Sequence, residues 1–454
     1  MNSVIAYIII LLILLLVYFR TTKIKSSTEE YFVLNKTENV LGVSLSFYAS
    51  GMGLWILTAP AEVAWWGLGY DVIGYAISAA TPFLLLYFLG PKIANLVPGG
   101  ATLPQFINIR YGRTAQIIVS LVAIIYMSAF LVAEFASINF LFPSIAEVSG
   151  LRIMILVGVF TYAYLKKSGF KASYITDKFQ GIGIILLLIV LFSIWFSQNS
   201  FSEIVNYSKL GGLGTFETFS LKSALAVILA VTAAEIFSQG YWQRTFSAKN
   251  EKTIKKASVI SAIGAFLTIL LIGVAGDVGA GKGLESPTLS FIGQLDLNLF
   301  SSVLLVSLCT LLVASSIDTL ENAISSTISL DLIGKGAKEA QYITLAIIHF
   351  AIFAAIYVTN IFSVFLVADL LATCLVFPAF YKLKSKSKDH FLLVPFIFSL
   401  FSVFIYRYLF IDLTNNPGGV FIPTDLYGLA DLNTFLVGFF TSMVMTFAYN
   451  KFSK

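Results

Sequence analysis

The chain has 454 residues, of which 58% are hydrophobic and 12% charged, against about 25% charged in a soluble domain. This is the composition of a multi-span membrane protein, with no stretch polar enough to fold as a separate soluble domain. The net charge of +5 comes from basic residues spread over many short loops, which argues against a nucleic-acid surface.

Apolar runs long enough to cross about 30 Å of hydrocarbon recur thirteen times. The expected spans are 3–19, 39–68, 71–90, 115–143, 151–165, 174–196, 219–243, 257–275, 297–332, 341–359, 361–381, 391–410 and 431–450. The first has no basic segment before it and no small-residue cleavage site, and Arg20, Lys23 and Lys25 follow it. It therefore reads as a span with its N-terminus outside, not as a signal peptide. Thirteen spans then put the C-terminus inside. Of the 29 lysines and arginines, 24 fall in the loops this topology places inside, and only Arg152, Lys209, Lys222, Lys282 and Arg407 fall outside. That asymmetry follows the positive-inside rule.

Spans 2 and 7 are irregular. Span 2 carries Gly51, Gly53, Pro60 and Gly67 around Glu62, and span 7 carries Glu235, Gln239, Gly240 and Gln243 before Arg244. Glycine and proline loosen a helix, and freed carbonyls need a cavity or an ion. Interrupted spans five apart predict two five-helix repeats, spans 2–6 and 7–11, which must be inverted because five is odd. The expected organisation is a first helix and inner loop (1–38), a first repeat (39–196), a second repeat (197–381) and two peripheral helices (382–454).

Span 9 is greasy over 303–313 and then carries Ser315, Ser316, Asp318, Thr319, Asn322, Ser325, Ser326 and Ser329. At 100° per residue, Ser315, Thr319 and Asn322 share one face, with Asp318 beside them. Polar and ionisable groups at bilayer depth point to an ion or solute path, while a close-packed helix seam is the plainer reading. Na⁺ is a hard cation that takes several oxygens. Span 9 offers hydroxyls from Ser315 and Ser316 and a carbonyl one turn earlier from Leu312. Span 2 offers carbonyls near Ala49 and Met52, where Gly51 and Gly53 weaken the helix.

Six motifs in order resemble the sodium:solute symporters, a family that includes proline, sugar, sialate and urea transporters. They are Glu29-Glu30-Tyr31-Phe32-Val33-Leu34; Ala49-Ser50-Gly51-Met52-Gly53-Leu54-Trp55; Thr102-Leu103-Pro104-Gln105-Phe106 leading to Arg110-Tyr111-Gly112; Thr176-Asp177-Lys178-Phe179-Gln180; Gln239 with Gln243-Arg244 and Ala248-Lys249; and Ser315-Ser316-Ile317-Asp318-Thr319. The resemblance covers nearly all of the chain. It implies a leucine-transporter-like fold with a 5+5 inverted-repeat core. It also implies a sodium site at Ala49, Met52, Leu312, Ser315 and Ser316. In members with two ions, the second site corresponds to Asp177, Asp318 and Thr319. Asp177 has a plainer reading as an inner-end carboxylate paired with Lys178 or Arg244. The proline transporter's span 2 aspartate is Gly51 here, which counts against proline itself.

The solute is expected at the midplane between spans 2, 4, 7 and 11. Candidates are Trp55, Glu62, Tyr126, Glu134, Glu235, Gln239 and Trp242. Glu134 and Glu235 suit a cationic or hydrogen-bond-donating group, and Asp369 and Glu321 belong to the same class without a specific role. Aromatics in spans also serve as packing or interface anchors. Gly276-x-x-x-x-Gly281-Lys282 mimics a phosphate loop, but Gly283 supplies no hydroxyl for Mg²⁺, and the run is expected in an outer loop with no strand before it. ATP is therefore not expected. Cys309 and Cys374 lie in apolar spans, His349 reads as a packed residue and His390 as a loop residue, so no disulfide, metal centre or catalytic set is expected. The leading reading is a secondary carrier, not an enzyme, that couples Na⁺ entry to uptake of a small organic solute, such as proline or another amino acid, or urea, across a bacterial inner (plasma) membrane. The other readings are a proton-coupled carrier of the same fold, a symporter-like sensor module and a passive channel.

Overall fold

The computed structural model describes residues 2–411, 419–425 and 428–452. Among them the regular structure is helical: α1 (Ser3–Thr21), α2 (Val40–Gly51), α3 (Ala59–Trp66), α4 (Gly69–Leu96), α5 (Leu103–Tyr111), α6 (Arg113–Ala146), α7 (Gly150–Gln198), α8 (Phe201–Gly211), α9 (Thr218–Glu235), α10 (Gln239–Ser247), α11 (Glu251–Gly281), α12 (Leu299–Ser326), α13 (Ala337–Ala355), α14 (Ile361–Phe380), α15 (His390–Phe410) and α16 (Leu432–Phe452). Among the described residues, ten helices are long and apolar enough to cross a membrane, or eleven if the bent α2–α3 pair is one span. The expectation of thirteen exceeds this by two. Expected spans 5 and 6 are both carried by the 49-residue α7, and expected span 10 falls on α13, which is not in that count.

Membrane burial reverses the usual surface. Large apolar side chains face outward, as Val4, Ile8, Leu12 and Leu16 do on α1, while the polar stripe of α12 and the turn after it, from Ser315 to Ser329, is buried. At about 1.5 Å per residue, α7 is far too long for one crossing. It turns at Gly169, where φ is +48° and ψ −129°. A Cβ there would lie 2.5 Å from the Tyr31 carbonyl oxygen, and Phe170 N–H donates to that same oxygen. Gly169→Ala is expected to cost at least about 1 kcal/mol from the left-handed backbone alone, before the clash. A lowered apparent melting temperature of the purified protein checks this.

Span 2 breaks as expected. α2 ends at Gly51, Met52 leaves helical geometry (φ −107°, ψ +83°), a short 3₁₀ turn covers Leu54–Leu57, and α3 resumes with Pro60 in its first turn. Proline is tolerated there because the first-turn N–H has no helical partner. The two halves are bent by 63°. Span 7 breaks between α9 and α10, where Ser238 is extended (ψ +106°).

Several details differ from the sequence reading. The Gly276–Gly281 run is not in a loop but forms the last turns of α11. Its glycines allow backbones to touch, since a Cβ at Gly279 would lie 1.8 Å from the Ser290 carbonyl oxygen and one at Gly281 1.9 Å from that of Tyr207. His349 is not packed but lies on the exposed face of α13, and His390 begins α15. Arg244, counted above as an inner-loop cation, is completely buried. Lys454 lies outside the described residues.

Candidate functional site

Three linked groups of buried polar residues lie where the two broken spans meet α6, α7, α12 and α14. The first is at the break of span 2. A continuing helix would give the Leu54 N–H to Ser50, but it donates instead to Glu134 Oε2 on α6 (2.9 Å). Ser316 Oγ on α12 donates to the other oxygen, Glu134 Oε1 (2.6 Å). Gly53 permits this approach, because a Cβ there would lie 2.6 Å from Ser316 Oγ. Ser315 Oγ donates to Asp177 Oδ1 (3.0 Å). Each serine thus commits its one proton to a carboxylate, leaving oxygen lone pairs free to accept a cation. Ala49 on α2, Met52 at the break and Leu312 on α12 are buried as well. Backbone carbonyls and hydroxyl oxygens fit a hard monovalent cation.

The second group surrounds Asp177. Its Oδ2 takes Arg244 Nη2 at 2.5 Å, with both side chains fully buried, and Ser46 Oγ at 2.5 Å. Arg244 donates further to Ser46 Oγ (2.7 Å), the Gly240 carbonyl (2.8 Å) and Thr319 Oγ1 (2.8 Å). Asp318 turns toward α7, accepting from Tyr164 OH (2.5 Å), Ser173 Oγ (2.7 Å) and Thr176 Oγ1 (3.2 Å). Asp177 therefore has the arginine partner of its plainer reading, while Lys178 pairs with Glu38 (2.7 Å). Glu321 accepts from Thr161 (3.1 Å). The lower stripe is a seam: Asn322 and Ser326 bond Gln243, and Ser329 donates to the Lys335 and Gly336 carbonyls.

The third group is a cavity with aromatic walls and two carboxylates. Glu235, the last residue of α9, and Asp369 of α14 line it together with Trp55, Tyr75, Phe130, Tyr241, Phe362 and Phe365. Phe130 and Phe365 stack with centroids 4.2 Å apart, and Trp55 sits edge-on to both. Asp369 Oδ2 is buried with no hydrogen-bond partner among the described residues. The space measures about 20 Å³, enough for one water, so the aromatics must part to admit a solute. Phe362 also walls a 300 Å³ recess lined by Glu62, whose Oε1 accepts from Asn360 (3.0 Å).

The candidate solute residues thus separate. Trp55 and Glu235 line the cavity, and Tyr126 packs behind it against Phe130 (4.9 Å). Glu62 lies in the recess, and Glu134 lies at the break. Gln239 is bonded at both ends to the backbone at the start of α5, accepting from Leu103 N–H (3.0 Å) and donating to the Ala101 carbonyl (2.5 Å). Trp242 donates to the Ile236 carbonyl (2.6 Å) in its own break. Sequence reasoning missed Tyr75, Phe130, Tyr241, Phe362 and Phe365, and gave Asp369 no role. One signal was available: Phe362, Phe365 and Asp369 are three and four residues apart, on one face of α14.

No family model matches the chain. The spermidine transporter DUR31 of Candida albicans is 28% identical over 366 residues, covering 77% of this chain and 69% of that protein. Two further relatives are matched over 43% and 36% of their own lengths. In fold, the chain is similar to a Na⁺-coupled sialic acid symporter solved in a substrate-bound outward-open state, with TM-score 0.80 and 14% identity over 99% of this chain and 97% of that one. It is also similar to Mhp1, a nucleobase-cation-symport-1 family transporter solved in a closed conformation, with TM-score 0.59 and 11% identity over 93% and 94% of the two chains. The fold is leucine-transporter-like, and these proteins are transporters, none of them an enzyme. Fold and relatives together make this chain a multi-pass membrane transporter of a small solute.

Proposed function

We propose that this transporter takes up a small organic cation, an amine, driven by Na⁺ entry across the plasma membrane. The observation that carries the solute class is the pair Glu235 and Asp369 in one aromatic-walled cavity. Carboxylates neutralise an ammonium, and aromatic faces attract it once it is desolvated. The relative named as a spermidine transporter handles such a solute. Neither proline nor urea brings a net positive charge to balance two carboxylates. The sodium-ligand set is Ala49, Met52, Leu312, Ser315 and Ser316, supported by the free hydroxyl lone pairs beside the span 2 break. The scaffold is the thirteen-span arrangement with its N-terminus outside, in which spans 2–6 and 7–11 are inverted repeats.

Each Na⁺ contributes about 2.3 kcal/mol per 100 mV and about 1.4 kcal/mol per tenfold gradient, and a cationic solute is itself drawn inward by a negative interior. Arg244 already supplies a positive charge between Asp177 and Thr319, so one ion moves per cycle. Uptake of radiolabelled spermidine, proline and urea into proteoliposomes, with Na⁺ or choline outside at matched potential, tests the proposal. The expected result is Na⁺-dependent spermidine uptake with a Hill coefficient near one, and a Na⁺ requirement raised about tenfold by Ser316→Ala, the equivalent of about 1.4 kcal/mol. Uptake that persists without Na⁺ and survives Ser316→Ala would refute the coupling. Preference for proline or urea would refute the solute class.

A further inference from the structure

We propose that Glu134 is the counter-charge of the cation site at the span 2 break, and that its single uncompensated negative charge makes the site selective for a monovalent ion. This rests on the sodium reading above. The site's two hydroxyls, Ser315 and Ser316, each donate to a different carboxylate. Those carboxylates are not equivalent. Asp177 is neutralised by Arg244. Glu134 is fully buried, and no ion pair reaches it among the described residues. Its two hydrogen bonds come from neutral donors, Leu54 N–H and Ser316 Oγ–H. A buried carboxylate of this kind calls for a cation, and Ser316 Oγ, whose proton goes to Glu134, keeps its lone pairs free to accept one.

The same carboxylate also shapes the site. By taking the Leu54 N–H from the helix, Glu134 holds the break open and caps the outer half of span 2. The backbone is cut to fit it, since a Cβ on Gly53 would lie 1.5 Å from Glu134 Oε1. Residue 53 and Glu134 are therefore coupled: alanine at 53 must expel the carboxylate from its position. A net charge of −1 is balanced by one Na⁺ and overfilled by a divalent ion. Glu134 thus acts through Ser316 and the local field as a positioning residue of the cation site, and not as a solute ligand.

The test is ion-induced thermal stabilisation of the purified full-length protein, titrated with NaCl or CaCl₂ against choline chloride at constant ionic strength. The variants are Glu134→Gln, Glu134→Ala, Gly53→Ala and the double Gly53→Ala/Glu134→Ala. Half-saturating Na⁺ is expected to rise at least about tenfold in Glu134→Gln, while solute binding at saturating Na⁺ stays within about threefold. Gly53→Ala should reproduce the loss, because its Cβ displaces both Glu134 and Ser316 Oγ, and the double variant should fall short of the sum of the two single losses, a non-additivity that marks direct coupling. CaCl₂ should not stabilise the wild type. Wild-type half-saturation in Glu134→Gln overturns this proposal alone. A wild-type protein that ignores Na⁺ overturns the sodium reading and this one with it. If Glu134→Gln fails to fold, Gly53→Ala decides the matter, because unchanged Na⁺ affinity in that variant overturns the proposal.

Discussion

Replacing either cavity carboxylate by its amide, Glu235→Gln or Asp369→Asn, is expected to reduce amine uptake by about thirtyfold or more while leaving the Na⁺-induced thermal shift intact. Removing one partner from a desolvated charge pair costs about 2–5 kcal/mol, and 1.4 kcal/mol is a factor of ten. The substitutions keep shape and volume, and they remove charges that have no ion-pair partner among the described residues. Folding stability should therefore hold or rise. Phe130→Ala and Phe365→Ala should lower affinity less, by about 0.5–2 kcal/mol each for a cation–π contact. Radiolabelled uptake in proteoliposomes beside a melting curve separates loss of solute from loss of fold. Undiminished uptake in both amide variants would show that the solute binds elsewhere.

The second large effect is structural. Arg244→Ala leaves Asp177 charged and buried beside Ser46 and Ser315, and should cost about 3–5 kcal/mol, the usual penalty for breaking a buried pair from one side. Asp177→Asn in the same chain should recover part of that loss, with a coupling energy of at least about 1 kcal/mol in a double-mutant cycle. Arg244→Lys should not rescue. The guanidinium reaches Asp177, Ser46, Thr319 and the Gly240 carbonyl at once, which a single ammonium cannot do. Equal melting temperatures for wild type and Arg244→Ala would show that the pair is not needed for stability.

These residues show how the sequence reading divided. Ser315, Ser316, Asp318 and Thr319 were legible because polar residues in a greasy span conflict with their solvent, and helical periodicity says which of them share a face. The breaks were legible because Gly51, Gly53 and Pro60 act on backbone geometry through local sterics. Partners were not legible. Asp177 had Lys178 as its chain neighbour and Arg244 sixty-seven positions away, yet it pairs with Arg244. Successive residues on a helix point 100° apart, so Lys178 turns instead toward Glu38.

Glu134 and Asp369 make the same point from opposite sides. Both were recognisable as intramembrane carboxylates with work to do, but Glu134 was placed with the solute and Asp369 was given no role. The sequence by itself determined the membrane setting, the interrupted spans and the chemical class of the important side chains, because each follows from local hydropathy, helical period and backbone sterics. Only the tertiary structure decided which carboxylate lies at the span 2 break, which lines the aromatic cavity and which is paired with arginine. Those depend on the rotation and height of one helix against another, set by packing of the whole bundle.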